Sequence, residues 1–441
     1  MRKTLLLPVL FLFFQNSFSQ NLFRNSDSLT LNDIKVVFWN NNHAFSDAGG
    51  NSKFEVPKGS GKFSASAHSL WLSASDINSQ LHLSANKYIN SGQDFYPGPL
   101  KVNDGSTDTS ISIAFNKIWK IKKTEIEEFI YRFQHGTLTV NYIIPDAILT
   151  WPAHGPSPAY EHNLAPFFDN NSDGNYNPYD GDYPIIKGDE MLWWVFNDNT
   201  KLHTETGCLP LKVEIQACAY VYNCSEFTND STEIINHSIF VNYKIINRST
   251  IRLTNMKFGL FTDGDIGFSN DDYTGFDLIR NSYYFYNCSS IDGTGQPHAY
   301  GGPNPPPPAL AVTLLGGPYK DPDGMDNPKY DQYGNIICWD GINGFDFGDG
   351  TTDNERFGFT NYISFNKGNC GDTCEPDSTT HFLRYLNSFW KNGEPLKYGG
   401  GGHSLNGGAG PETKFIFPGN SDTCNYGSDG IDHSAPTNPL Y

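Results

Sequence analysis

Charge is scarce in this sequence, and positive charge is scarcest. Asp, Glu, Lys and Arg together make up 18% of the 441 residues, with 48 acidic against 30 basic side chains and a formal net charge of −18. A chain so poor in Lys and Arg lacks the electrostatic footprint of a nucleic-acid binder, and an anionic membrane would repel it. The familiar catalytic signatures are missing as well. There is no HExxH, GxSxG, P-loop or dinucleotide-binding glycine pattern, so the chemistries those spacings serve lose their sequence support. No CxxC pair occurs among the eight cysteines, which excludes a zinc ribbon. After the first residues no stretch is long and apolar enough for a membrane helix, and no internal repeat of fixed period is present.

What is there begins with an export signal. Arg2 and Lys3 precede an apolar run over 5–14, broken only by Pro8, and Ser17 and Ser19 stand at −3 and −1 of a cut before Gln20. That layout predicts a secretory signal peptide over 1–19. The composition is 15% aromatic with 43 Gly and 27 Pro, which points to β architecture with many turns. Cysteines begin only at Cys208, and an oxidising exterior makes disulfides reasonable, with Cys370 and Cys374 close enough to staple one loop. The expected fold is mainly β. It consists of sandwich-like domains with a few short helices and long ordered, calcium-binding loops. Its expected divisions are an N-terminal β-rich domain over 20–150, an ordered linker over 151–190 and a C-terminal sandwich over 191–441.

Strands are predicted at 34–38, 62–73, 81–85, 110–115, 191–196, 211–222, 238–246 and 252–261. The last two, joined by a turn at 247–250, read as a hairpin. One amphipathic helix is expected after Thr124, with Glu127 completing a capping box and Ile126, Phe129, Ile130 and Phe133 at helical spacing. A short helix should follow Pro145, and another should run over 381–391. The NPPPP run at 304–308 is read as a packed loop.

The strongest chemical signal is the polar run at 169–180. Counting Asp169 as position 1, oxygen-bearing side chains fall at 1, 3, 5, 9 and 12, which are Asp169, Asn171, Asp173, Asn177 and Asp180. Gly174 occupies position 6, where the backbone must turn sharply, and Asn175 at 7 would give its carbonyl. This is the ligand order of a calcium loop, with a short Asp in place of the usual Glu at 12. Mixed carboxylates and amides suit Ca²⁺, which takes six to eight oxygens. The alternative is a metal-free Asn/Asp turn. Weaker acidic clusters are Asp263 and Asp265 with Asp271 and Asp272; Asp321, Asp323 and Asp326; and Asp346, Asp349 and Asp353 with Glu355. Two of these could converge on one ion, although Asp-Gly is also ordinary turn chemistry.

Acid–base catalysis would draw on His203, Glu205 and His154, because His203 and Glu205 share a face if extended. Structural roles for these residues are the competing reading. Trp71, Trp151, Trp193, Trp194, Trp339 and Trp390 would either stack on sugars or fill a core.

Several strings taken in order carry a resemblance. They are VPKGSGK at 56–62, SLWL at 69–72, GQDFYPGPL at 92–100, WPAHG at 151–155 and GDYP at 181–184, followed by WWVFND at 193–198, HTETG at 203–207, YKIINRS at 243–249 and DNER at 353–356. Together they resemble a family of large secreted Bacteroidetes proteins of unassigned activity, many of which carry a C-terminal type IX secretion sorting domain. The resemblance implies an extracellular or outer-surface location. This chain stops at Tyr441 without such a domain, which keeps the periplasm and a truncated gene product open. The expectation is a non-catalytic surface protein that binds glycans or cell-surface components. A secreted hydrolase acting on polysaccharide or protein is the alternative.

Overall fold

A computed structural model describes residues 23–138, 141–224, 230–287, 289–337, 344–368 and 371–418. The expected signal peptide, Trp339, and Cys288, Cys338, Cys370 and Cys424 fall outside these. The described chain is mainly β, as expected, with five sheets and five short α-helices among the described residues.

The strand Glu190–Asn197 organises the molecule. All eight of its residues are buried, because successive side chains point to opposite faces and both faces are covered. It pairs antiparallel with Val213–Val221 on one side and with Tyr96–Pro97 and Trp119–Lys122 on the other, while Phe240–Asn247 adds the outer edge. Leu192, Trp194 and Phe196 face one core, together with Val213, Ile215 and Ala217. Across that core lie Leu29, Val36, Phe38, Leu70 and Leu72, from the sheet Ser26–Leu29, Lys35–Trp39, Phe54–Glu55 and the sheet Thr254–Asp263, Ala67–Ser75, Leu81–Ser84. The Phe38–Ala44 and Ala44–His68 bridges tie these two sheets into one layer. The result is a β-sandwich whose core joins strands from either side of the 151–190 stretch. Each large apolar side chain buried there contributes roughly 1.5–3 kcal/mol.

Both outer faces are covered in turn. Met191, Trp193 and Val195 pack with Trp119, Ile126, Phe129 and Ile148 under the helices Lys123–Gln134 and Asp146–Leu149. On the far side, Trp71, Leu83 and Phe261 pack with Phe382, Tyr385 and Trp390 around the helix Thr379–Tyr385. A further sheet, Asp272–Asp277, Ser282–Asn287 and Ala309–Thr313, closes its own core around Phe276, Tyr283 and Phe415. Among the described residues no helix is long and apolar enough to cross a membrane.

Four expectations need correction. The 110–115 segment is the helix Thr109–Ala114, not a strand. Asp108 caps it by accepting from the Ser110 and Ile111 amides at 2.9 and 3.2 Å, and a cap outweighs a short apolar alternation. The Lys123–Gln134 helix begins earlier than its capping box implied. Its N-cap is Lys122, fixed as extended by pairing with Glu190, and Glu125 accepts from the Lys122 amide at 2.8 Å. The 240–247 and 254–263 strands do not form a hairpin, because the first pairs with Val213–Val221 and the second with Ala67–Ser75, so their link crosses between layers. The C-terminal helix stops at Tyr385, short of Trp390. Ser388 takes φ +62°, which ends helical propagation, while Trp390 still reaches the core through an indole bond to the Gly402 carbonyl at 2.8 Å.

Candidate functional site

The 169–180 segment leaves the short strand Phe167–Phe168 and returns as Tyr183–Pro184, which pair with each other. This ladder holds the loop's two ends together. Inside it, Asp169 accepts from the Asp173 amide at 3.3 Å and the Gly174 amide at 2.7 Å. Asn171 Oδ1 accepts from the Asp173 amide at 3.1 Å, and Asn171 Nδ2 donates to Asp173 Oδ2 at 3.0 Å. Gly174 takes φ +79°, a conformation a side chain would resist. Positions 1, 3 and 5 are thus drawn to one end of the loop. Bonding from the Asn175 amide holds the Asp173 carboxyl below its ordinary range. Asn175 Nδ2 donates to the Asp173 carbonyl at 3.2 Å. Positions 9 and 12 pair separately: Asn177 Nδ2 donates to Asp180 at 2.6 Å, and Asn177 caps the short 3₁₀ turn Pro178–Asp180.

A residue just outside the twelve positions joins the two ends. Asp182 is fully buried and accepts from the Asn170 amide and from the Asn177 amide, each at 2.8 Å. His154 pins the loop from below, accepting from the Tyr176 amide on Nε2 at 3.1 Å while Nδ1 lies 2.9 Å from the His162 carbonyl. That pair of partners requires the neutral ring with its proton on Nδ1. Among the described residues, no three His, Cys, Asp or Glu side chains stand together as a ready metal shell. An ion here would need the amide and carbonyl oxygens of Asn171, Asn175 and Asn177 beside the carboxylates.

The remaining acidic clusters divide. The 321–326 and 346–355 segments do converge. Asp353 accepts from the Asp323 and Gly324 amides at 2.8 and 2.9 Å, and Asp326 from the Gly348 and Gly350 amides at 2.8 and 2.7 Å. Asp349 accepts from Asn354 Nδ2 at 2.9 Å, and the fully enclosed Glu355 accepts from the Asn327 amide. Asp321 and Asp346 are exposed at its margins. These carboxylates are organised mainly by backbone amides.

The catalytic candidates are not gathered at one place. His203 is buried with both ring nitrogens against carbonyls, Leu83 at 3.0 Å and Asp198 at 2.7 Å. Glu205 accepts from the Gly92 amide and pairs with Lys87 at 3.5 Å. Their partners, like those of His154, are internal. Trp71, Trp151, Trp193, Trp194 and Trp390 are all at most 5% exposed, so they fill cores. Cys208, Cys218 and Cys224 are free thiols.

A cleft does exist where the sequence marked Asp263 and Asp265. At the end of the strand Thr254–Asp263, a cavity of about 140 Å³ is lined by Tyr88, Phe258, Asp263, Asp265, Asn361 and Lys367, among others. Asp263 accepts from Ser66 at 2.8 Å and pairs with Lys367 at 3.4 Å, whose ammonium also sits 4.5 Å from the Tyr88 ring centre. Burial, with Asp263 beside it, pushes the Asp265 carboxyl up, and the Tyr88 phenol is pushed up for the same two reasons. Phe258 is 37% exposed and is the most exposed ring lining this cleft. Set against family models, curated proteins and solved structures, the chain matches none. Tyr88 and Lys367 carried no signal in the sequence, since each is distant along the chain from the strand end it joins.

Proposed function

We propose that this chain is an exported, calcium-stabilised binding protein of the cell surface or exterior that takes a glycan in the cleft at Asp263. The carrying observation is the cleft's make-up. An exposed aromatic ring, Phe258, lines the same cavity as two carboxylates, an amide and an ammonium group. Sugars present apolar C–H faces and dense hydroxyls, so they need this pairing of ring and hydrogen-bonding groups. The internal engagement of His203, Glu205 and His154 favours binding over catalysis at those residues. The calcium part of the reading rests on the 169–180 donor order, and the exported location rests on the N-terminal signal and the resemblance to secreted Bacteroidetes proteins. An oligosaccharide array probed with the full chain tests the binding. Saturable binding to at least one glycan class is expected, weakened about tenfold or more by Phe258→Ala or Lys367→Ala. An empty array, or binding indifferent to both changes, would remove the cleft from the account.

One observation favours a second reading. Asp265, with its raised carboxyl beside Asp263, resembles an acid held ready near a second carboxylate, as polysaccharide hydrolysis requires. Release of reducing sugar, lost in both Asp265→Asn and Asp263→Asn, would select the hydrolase.

A further inference from the structure

The turn at 264–271 connects the strand Thr254–Asp263 to Asp272–Asp277. Carboxylates grip it from two sides. Asp272, 1% exposed, accepts from the Ile266 amide on Oδ2 at 2.7 Å. Asp292, with no exposure, accepts from the Phe268 amide at 2.9 Å and from the Tyr300 amide. Two acids therefore hold backbone only two residues apart. Asp271 joins them through Oδ2, which accepts from the Gly293 amide at 3.4 Å.

Two oxygens remain. Asp271 Oδ1 and Asp272 Oδ1 are both enclosed and have no hydrogen-bond partner. A buried carboxylate oxygen without a partner is costly. Protonation would remove the charge but leave the proton on either oxygen without an acceptor. A cation held between the two side chains would satisfy both. We propose that Asp271 and Asp272, flanked by Asp265 and Asp292, form a site for a hard divalent cation of the calcium class.

The chemistry selects the class. The named donors are all carboxylate oxygens, with no His or Cys among them, which suits calcium over zinc. No three of these carboxylates already stand together as a metal shell, so water and backbone carbonyls would supply most of the six to eight ligands. The basic side chains at its margin are Lys62, which donates to the Tyr300 carbonyl at 3.0 Å, and Lys367, engaged with Asp263. Burial and the neighbouring Asp265, Asp271 and Asp292 push the Asp272 carboxyl up to about 9, the electrostatic expression of the same crowding. The site shares no ligand with the 169–180 loop, and it stands whether or not the cleft binds sugar.

The test uses the full chain carrying Asp169→Ala and Asp173→Ala, which disables the 169–180 loop, stripped with chelator and titrated calorimetrically with CaCl₂. One bound calcium should remain. Adding Asp271→Asn or Asp272→Asn should weaken it by roughly tenfold or more. In chelator, Asp272→Asn should melt no lower than its background, because a buried charge has gone. Loss of binding in either Asn variant that retains its far-UV circular dichroism supports the site. Absence of calcium heat in the background chain would overturn it, as would full retention of that heat in both Asn variants.

Discussion

Asp182 and His154 hold the 169–180 loop through its backbone. Asp182 accepts from two separated amides, Asn170 and Asn177. Asp182→Ala should therefore cost about 1–3 kcal/mol in urea denaturation by removing two charge-assisted hydrogen bonds, and an unchanged midpoint would remove its organising role. The buried histidines act through pH. Burial lowers His43 to about 3 and His68 to about 4. Both are neutral in the folded chain, whereas the unfolded chain takes up protons near the ordinary value of about 6.5. Their contribution is complete above that value and is lost as pH falls toward 4 and then 3. His68→Gln, which can keep a bond to Thr262, should make stability fall less steeply than in the parent between pH 6.5 and 4.5. Parallel profiles would contradict this. At this scale the sequence was legible in the sharp turn at Gly174, which takes φ +79° at the position where the spacing required one. It was silent on Asp292, whose partners are chosen by a distant turn.

Elements show where local pattern suffices and where it fails. The strands Lys35–Trp39, Glu190–Asn197 and Val213–Val221 were legible because β-branched and aromatic runs ended in turn residues, and Leu81–Ser84 because its apolar residues alternate. The segment Thr109–Ala114 was misread because its apolar alternation fits either state and the Asp108 cap decided it. The strands Asp272–Asp277 and Ser282–Asn287 were passed over, since Tyr-rich runs with polar ends lack clear alternation. Connections between elements depend on charge that no pattern reveals. Arg248, where Phe240–Asn247 ends, reaches the fully buried Glu214 at 3.2 Å and Glu161 at 3.1 Å. Arg248→Ala should cost roughly 3 kcal/mol by stranding the Glu214 charge. Adding Glu214→Gln should recover part of that loss in a double-mutant cycle, and strict additivity would mean the two groups do not depend on each other.

The whole molecule is a sandwich with both outer faces covered, and its acidic loops cluster around it. Composition made the β class legible, but not the layering, because pairing Thr254–Asp263 with Ala67–Ser75 is a contact between distant parts of the chain. For the same reason the cleft at Asp263 was invisible: Tyr88, Phe258 and Lys367 meet only in the folded state. The acidic excess of the sequence is consistent with a fold that takes up cations to offset it. The most direct test of this account is calcium stoichiometry with stability in one experiment: calorimetric titration of the chelator-stripped full chain, followed by melting with and without calcium. The account predicts saturable uptake, a melting point raised by calcium and returned by chelator, and one fewer bound ion in the chain carrying Asp169→Ala and Asp173→Ala. No uptake in the parent, with melting indifferent to chelator, would contradict it.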